Sequence, residues 1–305
     1  MKNLTLALRS RYGQSTLTIC VATVLALLIS TSRADAQQGK YVEQSATNLV
    51  KLINAANADG YKLRDNSFSI GGGWLKQSTS EWIKTYTIPL KAGTQYRFLA
   101  AGDNDAKDVD IEVSDANGKV VAIDGKPDPA AVASFTPKED GKYLVKIRLY
   151  ASRENVPCVC TTIVMAKTSG GSGAQGKYVA QSSANLVKLI NAANGDGFKL
   201  RDNSLSIGGG WLKQSTSDWV KIYSVPLKAG TQYRFLAAGD NDAKDVDIEV
   251  SDATGKVVAV DGKLDPTATV TFTPKANGMY SVRIRLYASD SNLPCVCTAI
   301  VMTKK

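Results

Sequence analysis

The stretch GDNDAKDVDIEVSD, Gly102 to Asp115, carries six acidic residues in fourteen and recurs unchanged from Gly239 to Asp252. Carboxylates this dense serve three chemistries: a calcium site, an acid–base pair of the kind that cleaves glycosides, or the polar side of a strand. Val109, Ile111 and Val113 alternate with Asp108, Asp110 and Glu112, which predicts a strand with one apolar face and the carboxylates on the other, solvated face. Asp103-Asn104-Asp105 reads as the turn that enters it, held by side-chain to backbone hydrogen bonds. Calcium needs six to eight converging oxygens, and an EF-hand loop needs glycine at its sixth position. Counted from Asp103 that position is Asp108, and Lys107 puts a cation inside the cage. The competing calcium reading, at a sandwich edge, takes Asp103, Asp105, Asp108 and Asp110 in the first copy and Asp240, Asp242, Asp245 and Asp247 in the second. An acid–base pair needs one carboxyl raised by an apolar cleft, and no such setting is legible.

Two more constellations are duplicated. Pro157-Cys158-Val159-Cys160 matches Pro294-Cys295-Val296-Cys297. In an extended strand both cysteines of a pair lie on one side with Cα atoms about 6.5–7 Å apart, the upper limit for a disulfide. Cys158, Cys160, Cys295 and Cys297 are therefore disulfide candidates, within pairs or between copies, with buried thiols as the alternative. Zinc held by four cysteines across two domains and a Cys-x-Cys redox centre are weaker readings. Gly71-Gly72-Gly73-Trp74 and Gly208-Gly209-Gly210-Trp211 lack the Lys-Ser or Lys-Thr of a phosphate loop. A flexible glycine loop could instead present Trp74 and Trp211 as stacking platforms, against the commoner role of capping a core; Trp82 is expected in the core. Histidine is absent from the 305 residues, which excludes histidine-based triads and zinc sites, and no catalytic residue is assigned.

The elements that position these groups are organised by a repeat. QGKYV at Gln38 recurs at Gln175, and the same offset relates Trp74 to Trp211 and Cys158 to Cys295 without a gap; roughly 28 of about 130 paired positions differ. The expected organisation is a signal peptide over 1–36, a first repeat over 37–167, a Gly/Ser linker over 168–174 and a second repeat over 175–305. The leader rests on Lys2, Arg9 and Arg11, an apolar run from about Leu17 to Ile29 too short to anchor stably, and the Ala34-Asp35-Ala36 cleavage triplet. Its removal takes away four basic residues and one acid, so the net charge falls from +9 to +6. That excess is interspersed with acids rather than clustered, which argues against nucleic acid. The linker spans about 15 Å, so the copies sit close together.

Within each copy Val42, Ala46, Leu49, Val50, Ile53 and Ala56 recur at helical spacing from Tyr41 to Asn57, and Asp59-Gly60 stops the helix. Short strands follow over Glu81–Leu90, Thr94–Ala100, Lys119–Asp124, Ala131–Thr136, Lys142–Tyr150 and Cys158–Met165, besides the acidic one. Lys142 becomes Met279 and Leu144 becomes Ser281, changes that mark the outward face of their strand. The fold expected is mainly β: two tandem antiparallel, jelly-roll-like β-sandwiches, each preceded by one amphipathic helix that covers a face or an edge.

LKAGTQYRFLAAGDNDAKDVDIEVSDANGKVVAIDGKPDP followed by FTPKEDGKYLVKIRLY, and their near-copies, resemble the bacterial pre-peptidase C-terminal (PPC) domain, a secreted β-sandwich. The resemblance covers about half of each repeat, Trp82 to Tyr150 and Trp219 to Tyr287. It implies an accessory role beside a secreted peptidase, or binding of collagen or carbohydrate. No catalytic domain is attached here, which shifts the expectation to a free-standing, non-enzymatic binding module. Its partner would be an extracellular polysaccharide or protein, its location secreted or periplasmic, with no membrane span after cleavage and no cofactor unless calcium. The alternatives are a self-associating structural envelope protein and, further off, an unrecognised hydrolase.

Overall fold

The computed structural model describes residues 38–64, 67–167 and 175–304. The leader over 1–36 and the linker over 168–174 lie outside them. The chain order is α1 (Gln38–Ala58), β1 (Tyr61–Leu63), β2 (Ser67–Leu75), β3 (Ile83–Leu90), β4 (Tyr96–Gly102), β5 (Ala106–Ser114), β6 (Val120–Asp124), β7 (Ala130–Phe135), β8 (Gly141–Ser152) and β9 (Cys158–Lys167). The second copy repeats it: α2 (Gln175–Gly195), β10 (Lys199–Leu200), β11 (Ser204–Leu212), β12 (Val220–Leu227), β13 (Gln232–Gly239), β14 (Ala243–Ser251), β15 (Val257–Asp261), β16 (Thr267–Phe272), β17 (Gly278–Ser289) and β18 (Cys295–Lys304). The fold is mainly β, built of antiparallel sheets. Among the described residues no helix is long and apolar enough to cross a membrane.

Each helix buries one stripe, Val42, Leu49, Ile53 and Ala56 in α1 and Val179, Leu186, Ile190 and Ala193 in α2. Gly60 and Gly197, at φ of 85° and 87°, make the left-handed turns that end them, and Asn57 Nδ2 closes its turn on the Tyr61 carbonyl at 2.8 Å. Strands β4 and β9 are covered on both faces. Phe98, Ala100, Cys158 and Cys160 point into a sandwich core, while Leu99, Ala101, Val159 and Ile163 point under the helices.

The two copies do not stand as separate sandwiches. A ten-stranded sheet runs through both in the order β16-β13-β18-β11-β2-β9-β4-β7, with β1 and β10 added beside β9 and β18. The join is β2 against β11, antiparallel, with Ile70 opposite Ile207. Since Ile207 is the repeat partner of Ile70, a pseudo-twofold axis passes through that pair and makes the seam isologous. On one face α1 and α2 lie side by side over a single core drawn from both copies. On the other face sit two four-stranded sheets, β3-β8-β5-β6 and β12-β17-β14-β15, each closing its own core.

The first residues of each repeat clasp the opposite copy. Gln38 Oε1 accepts from Leu200 N at 3.1 Å, and Gln175 Oε1 accepts from Leu63 N at 2.8 Å. Gly39 N donates to Asn194 Oδ1 at 3.2 Å and Gly176 N to Asn57 Oδ1 at 3.1 Å. A Cβ on Gly39 would lie 1.6 Å from Asn191 Oδ1, so a side chain there would displace that amide.

The glycine segment corrects a sequence expectation. Gly71 to Trp74 is not a flexible loop but part of β2, paired with both β9 and β11. Glycine is needed because a Cβ on Gly71 would come 2.7 Å from the Tyr86 ring, and one on Gly209 would come 2.7 Å from the Phe68 ring.

Candidate functional site

The acidic strand β5 pairs with β8, which sets Asp110 opposite Arg148 and Glu112 opposite Lys146; Asp247 faces Arg285 and Glu249 faces Arg283 in the second copy. The carboxylates are not solvated as expected. Asp103, Asp108, Asp110 and Glu112 are all buried, Asp110 to 1% exposure. Arg148 covers Asp110 through Nε at 2.8 Å and Nη2 at 2.6 Å, and Lys146 Nζ reaches Glu112 at 2.8 Å. A charge-assisted pair of this kind satisfies the carboxylate that the extra layer of side chains desolvates.

The eight calcium candidates are spread over distinct jobs. Asp103 accepts from Val159 N at 2.7 Å and Asp105 N at 3.0 Å, so it ties the turn to β9; Asp240 does the same with Val296 and Asp242. Burial raises the carboxyl of Asp103 above its ordinary range, against the lowering effect of those two amides. Asp105 faces Arg153 at 3.7 Å. Asp108 and Asp245 are buried with one carboxylate oxygen unpartnered, and burial first, then the neighbouring Asp110 or Asp247, raises them. Among the described residues no group of three or more potential ligands is placed to hold a metal ion.

In the structure Cys158, Cys160, Cys295 and Cys297 are buried free thiols, the alternative to the disulfide reading. Their strands stay extended, without the kink a bond would need, and each pair points into its sandwich core. Burial, then the nearby Asp103, pushes the Cys158 thiol far up, away from the thiolate form that attacks electrophiles. Trp74 and Trp211 are half-buried against the shared core, edge-on to Tyr41 at 5.3 Å and to Tyr178 at 5.1 Å.

The aromatic groups that do face outward were missed in the sequence. Trp82, expected in the core, belongs to none of the three cores. Its ring lies 4.5 Å from the Arg148 guanidinium, whose carbon is also 4.9 Å from the ring of Tyr150. Arg285 stands likewise at 4.6 Å from Trp219 and 4.9 Å from Tyr287. The Asp110 and Asp247 carboxylates anchor the two arginines, and a backbone carbonyl, Thr79 or Thr216, accepts from each at 2.5 Å. Tyr150 and Tyr287 remain 41% and 36% exposed. Each half thus carries an aromatic–arginine–aromatic platform on its four-stranded sheet. The available signal was the outward position of Tyr150 in the alternation of β8, two residues beyond Arg148.

No family profile matches the chain, and no curated protein matches it. Among solved structures it is similar to the M60 catalytic domain with CBM51-1 and CBM51-2 of Clostridium perfringens ZmpB, at 6% identity and a TM-score of 0.21. That match covers 77% of this chain and 36% of the other, so the chain spans about a third of that protein. It is also similar to the PBSX exported protein XepA (8% identity, TM-score 0.22, 76% and 84% covered). A third is the CBM22-1-CBM22-2 tandem of Paenibacillus barcinonensis Xyn10C (10% identity, TM-score 0.21, 79% of each chain covered). Likenesses this distant carry no argument about function.

Proposed function

We propose that the protein is an exported, non-enzymatic binding module that holds an extracellular polysaccharide or protein through its two aromatic–arginine platforms. The observation that supports this is the Trp82–Arg148–Tyr150 stack and its copy Trp219–Arg285–Tyr287, with exposed tyrosine rings on rigid strands. Aromatic rings with few rotatable bonds bind at low entropic cost, and an arginine already fixed by a carboxylate offers preorganised donors. The shared sheet sets the distance between the platforms, so a repetitive ligand matching that spacing gains avidity.

The test is binding of the chain from residue 37 onward to a set of defined neutral polysaccharides and to collagen. Tyr150→Ala with Tyr287→Ala is expected to weaken binding at least about tenfold with an unchanged melting temperature. Unaltered affinity in that variant would remove the platforms from the interaction. The second reading, a self-associating envelope protein, draws on the apolar residues exposed on the edge strands β6 and β15, Ile123 at 57% and Val260 at 54%. Concentration-dependent assembly in sedimentation, without any ligand, would favour it.

A further inference from the structure

The two four-stranded sheets leave a cleft of about 520 Å³ between them, within the size range of small-ligand sites. One wall is Tyr86–Pro89 of β3, from the first copy, and the other is Val220–Ile222 of β12, from the second. Gly209, Gly210 and Trp211 of β11 contribute to the lining between them. A β-bulge between Lys221 and Tyr223 carries Ile222 down to β11, where a Cβ on Gly208 would lie 2.2 Å from Ile222 Cγ2. Neither copy alone contains this cleft.

Its charge is one-sided. The ionic groups lining it are Arg64, Lys213 and Lys221, with no carboxylate. Five of the sixteen lining positions differ from their repeat partners (Phe68, Thr87, Ile88, Val220 and Ile222), all among uncharged residues, whereas the three cations recur as Arg201, Lys76 and Lys84. Elsewhere charge has drifted between the copies: Glu43 against Ala180, Lys142 against Met279, Arg153 against Asp290.

Both walls are edge strands, which could accept an added peptide strand. On β3 that edge is blocked, because Pro89 has no N–H and its carbonyl accepts from Arg64 Nη1. Pro226 and Arg201 repeat the arrangement at 3.2 Å. What remains is side-chain chemistry: cations at the rim and the exposed apolar side chains of Pro89 and Val220, which suit a sugar ring bearing a carboxylate.

We propose that the cleft between the copies binds a carboxylated polysaccharide, with Lys213 and Lys221 on the carboxylates and the sugar ring against Pro89 and Val220. The proposal rests on the binding-module reading but uses a different surface from the platforms. Titration calorimetry with polygalacturonate oligomers tests it, with the methyl-esterified oligomers as the neutral form of the same backbone and poly-glutamate as an acidic peptide. Lys213 and Lys221 are exposed, so Lys213→Gln with Lys221→Gln should fold normally, checked by an unchanged melting temperature.

The expected result is binding of the free acid, weakened at least about tenfold by esterification and equally by the lysine pair variant, as for the loss of two charge-assisted hydrogen bonds. Tyr150→Ala with Tyr287→Ala should leave that binding in place. Loss in the tyrosine variant but not the lysine variant would overturn the cleft site. Binding of neutral polymers alone would overturn it while leaving the module reading intact, and equal, lysine-dependent binding of poly-glutamate would overturn the sugar assignment. Binding of no polymer and no protein ligand would overturn both readings.

Discussion

Ile70 faces Ile207 across the β2–β11 seam, is 2% exposed, and sits in a core drawn from both copies, so Ile70→Ala probes whether the halves are one cooperative unit. Truncating a buried isoleucine to alanine costs about 2–5 kcal/mol, because the transfer free energy is lost and the cavity collapses only in part. The tight antiparallel pairing on either side limits relaxation, which places the expected loss near 3 kcal/mol. At about 2–4 °C per kcal/mol for a unit of this size, the melting midpoint falls by about 6–12 °C. The assay is differential scanning calorimetry of the chain from residue 37 onward. One endotherm is expected before and after the change, with calorimetric and van't Hoff enthalpies equal. The heat-capacity increment should be about 3–4 kcal/mol/K for the whole chain, not half of that. Two endotherms, with only one displaced by the substitution, would refute the continuous sheet as an energetic unit. So would a calorimetric enthalpy twice the van't Hoff value.

The four thiols of the same chain should be unreactive to Ellman's reagent when folded and all titrate in guanidinium; no released thiol in guanidinium would mean that disulfides exist. Asp108→Asn with Asp245→Asn should stabilise the protein by about 1 kcal/mol per copy, by removing a buried, unpaired charge beside other carboxylates. Because the folded-state pKa of both groups is raised, their contribution to stability is present below the ordinary carboxylate pKa and is lost as pH rises through the folded value. Acidification from pH 7 towards 4 should therefore stabilise the wild type more than the double variant, and parallel pH profiles would contradict the assignment. Millimolar calcium or a chelator should leave the melting midpoint unchanged; a rise with calcium would show a native-state site that these carboxylates do not form as placed.

The duplication, the leading helix of each copy and most of the strands were legible along the chain, because hydrophobic period reports which side chains share a face. The parity of β8 was legible from Lys142/Met279 alone, since only an outward position takes that exchange cheaply, and both residues are exposed. Period does not report what lies on the far side of a face. Asp108, Asp110 and Glu112 alternate as a solvated row would, yet all three are buried, Asp110 and Glu112 beneath the arginine and lysine of β8. The glycines of β2 and β11 have no side chains to show a period, so a central seam read as a loop. Trp82 gave no sign of its place because the partner that holds it, Arg148, is brought to it from a strand far along the chain. Least legible was the relation of the copies. The residues that join them are apolar in the same pattern as any core position, and an isologous contact leaves the same sequence whether a repeat meets its neighbour or only itself. Only in three dimensions does Ile70 meet Ile207, and with that contact comes a cleft that spans both copies.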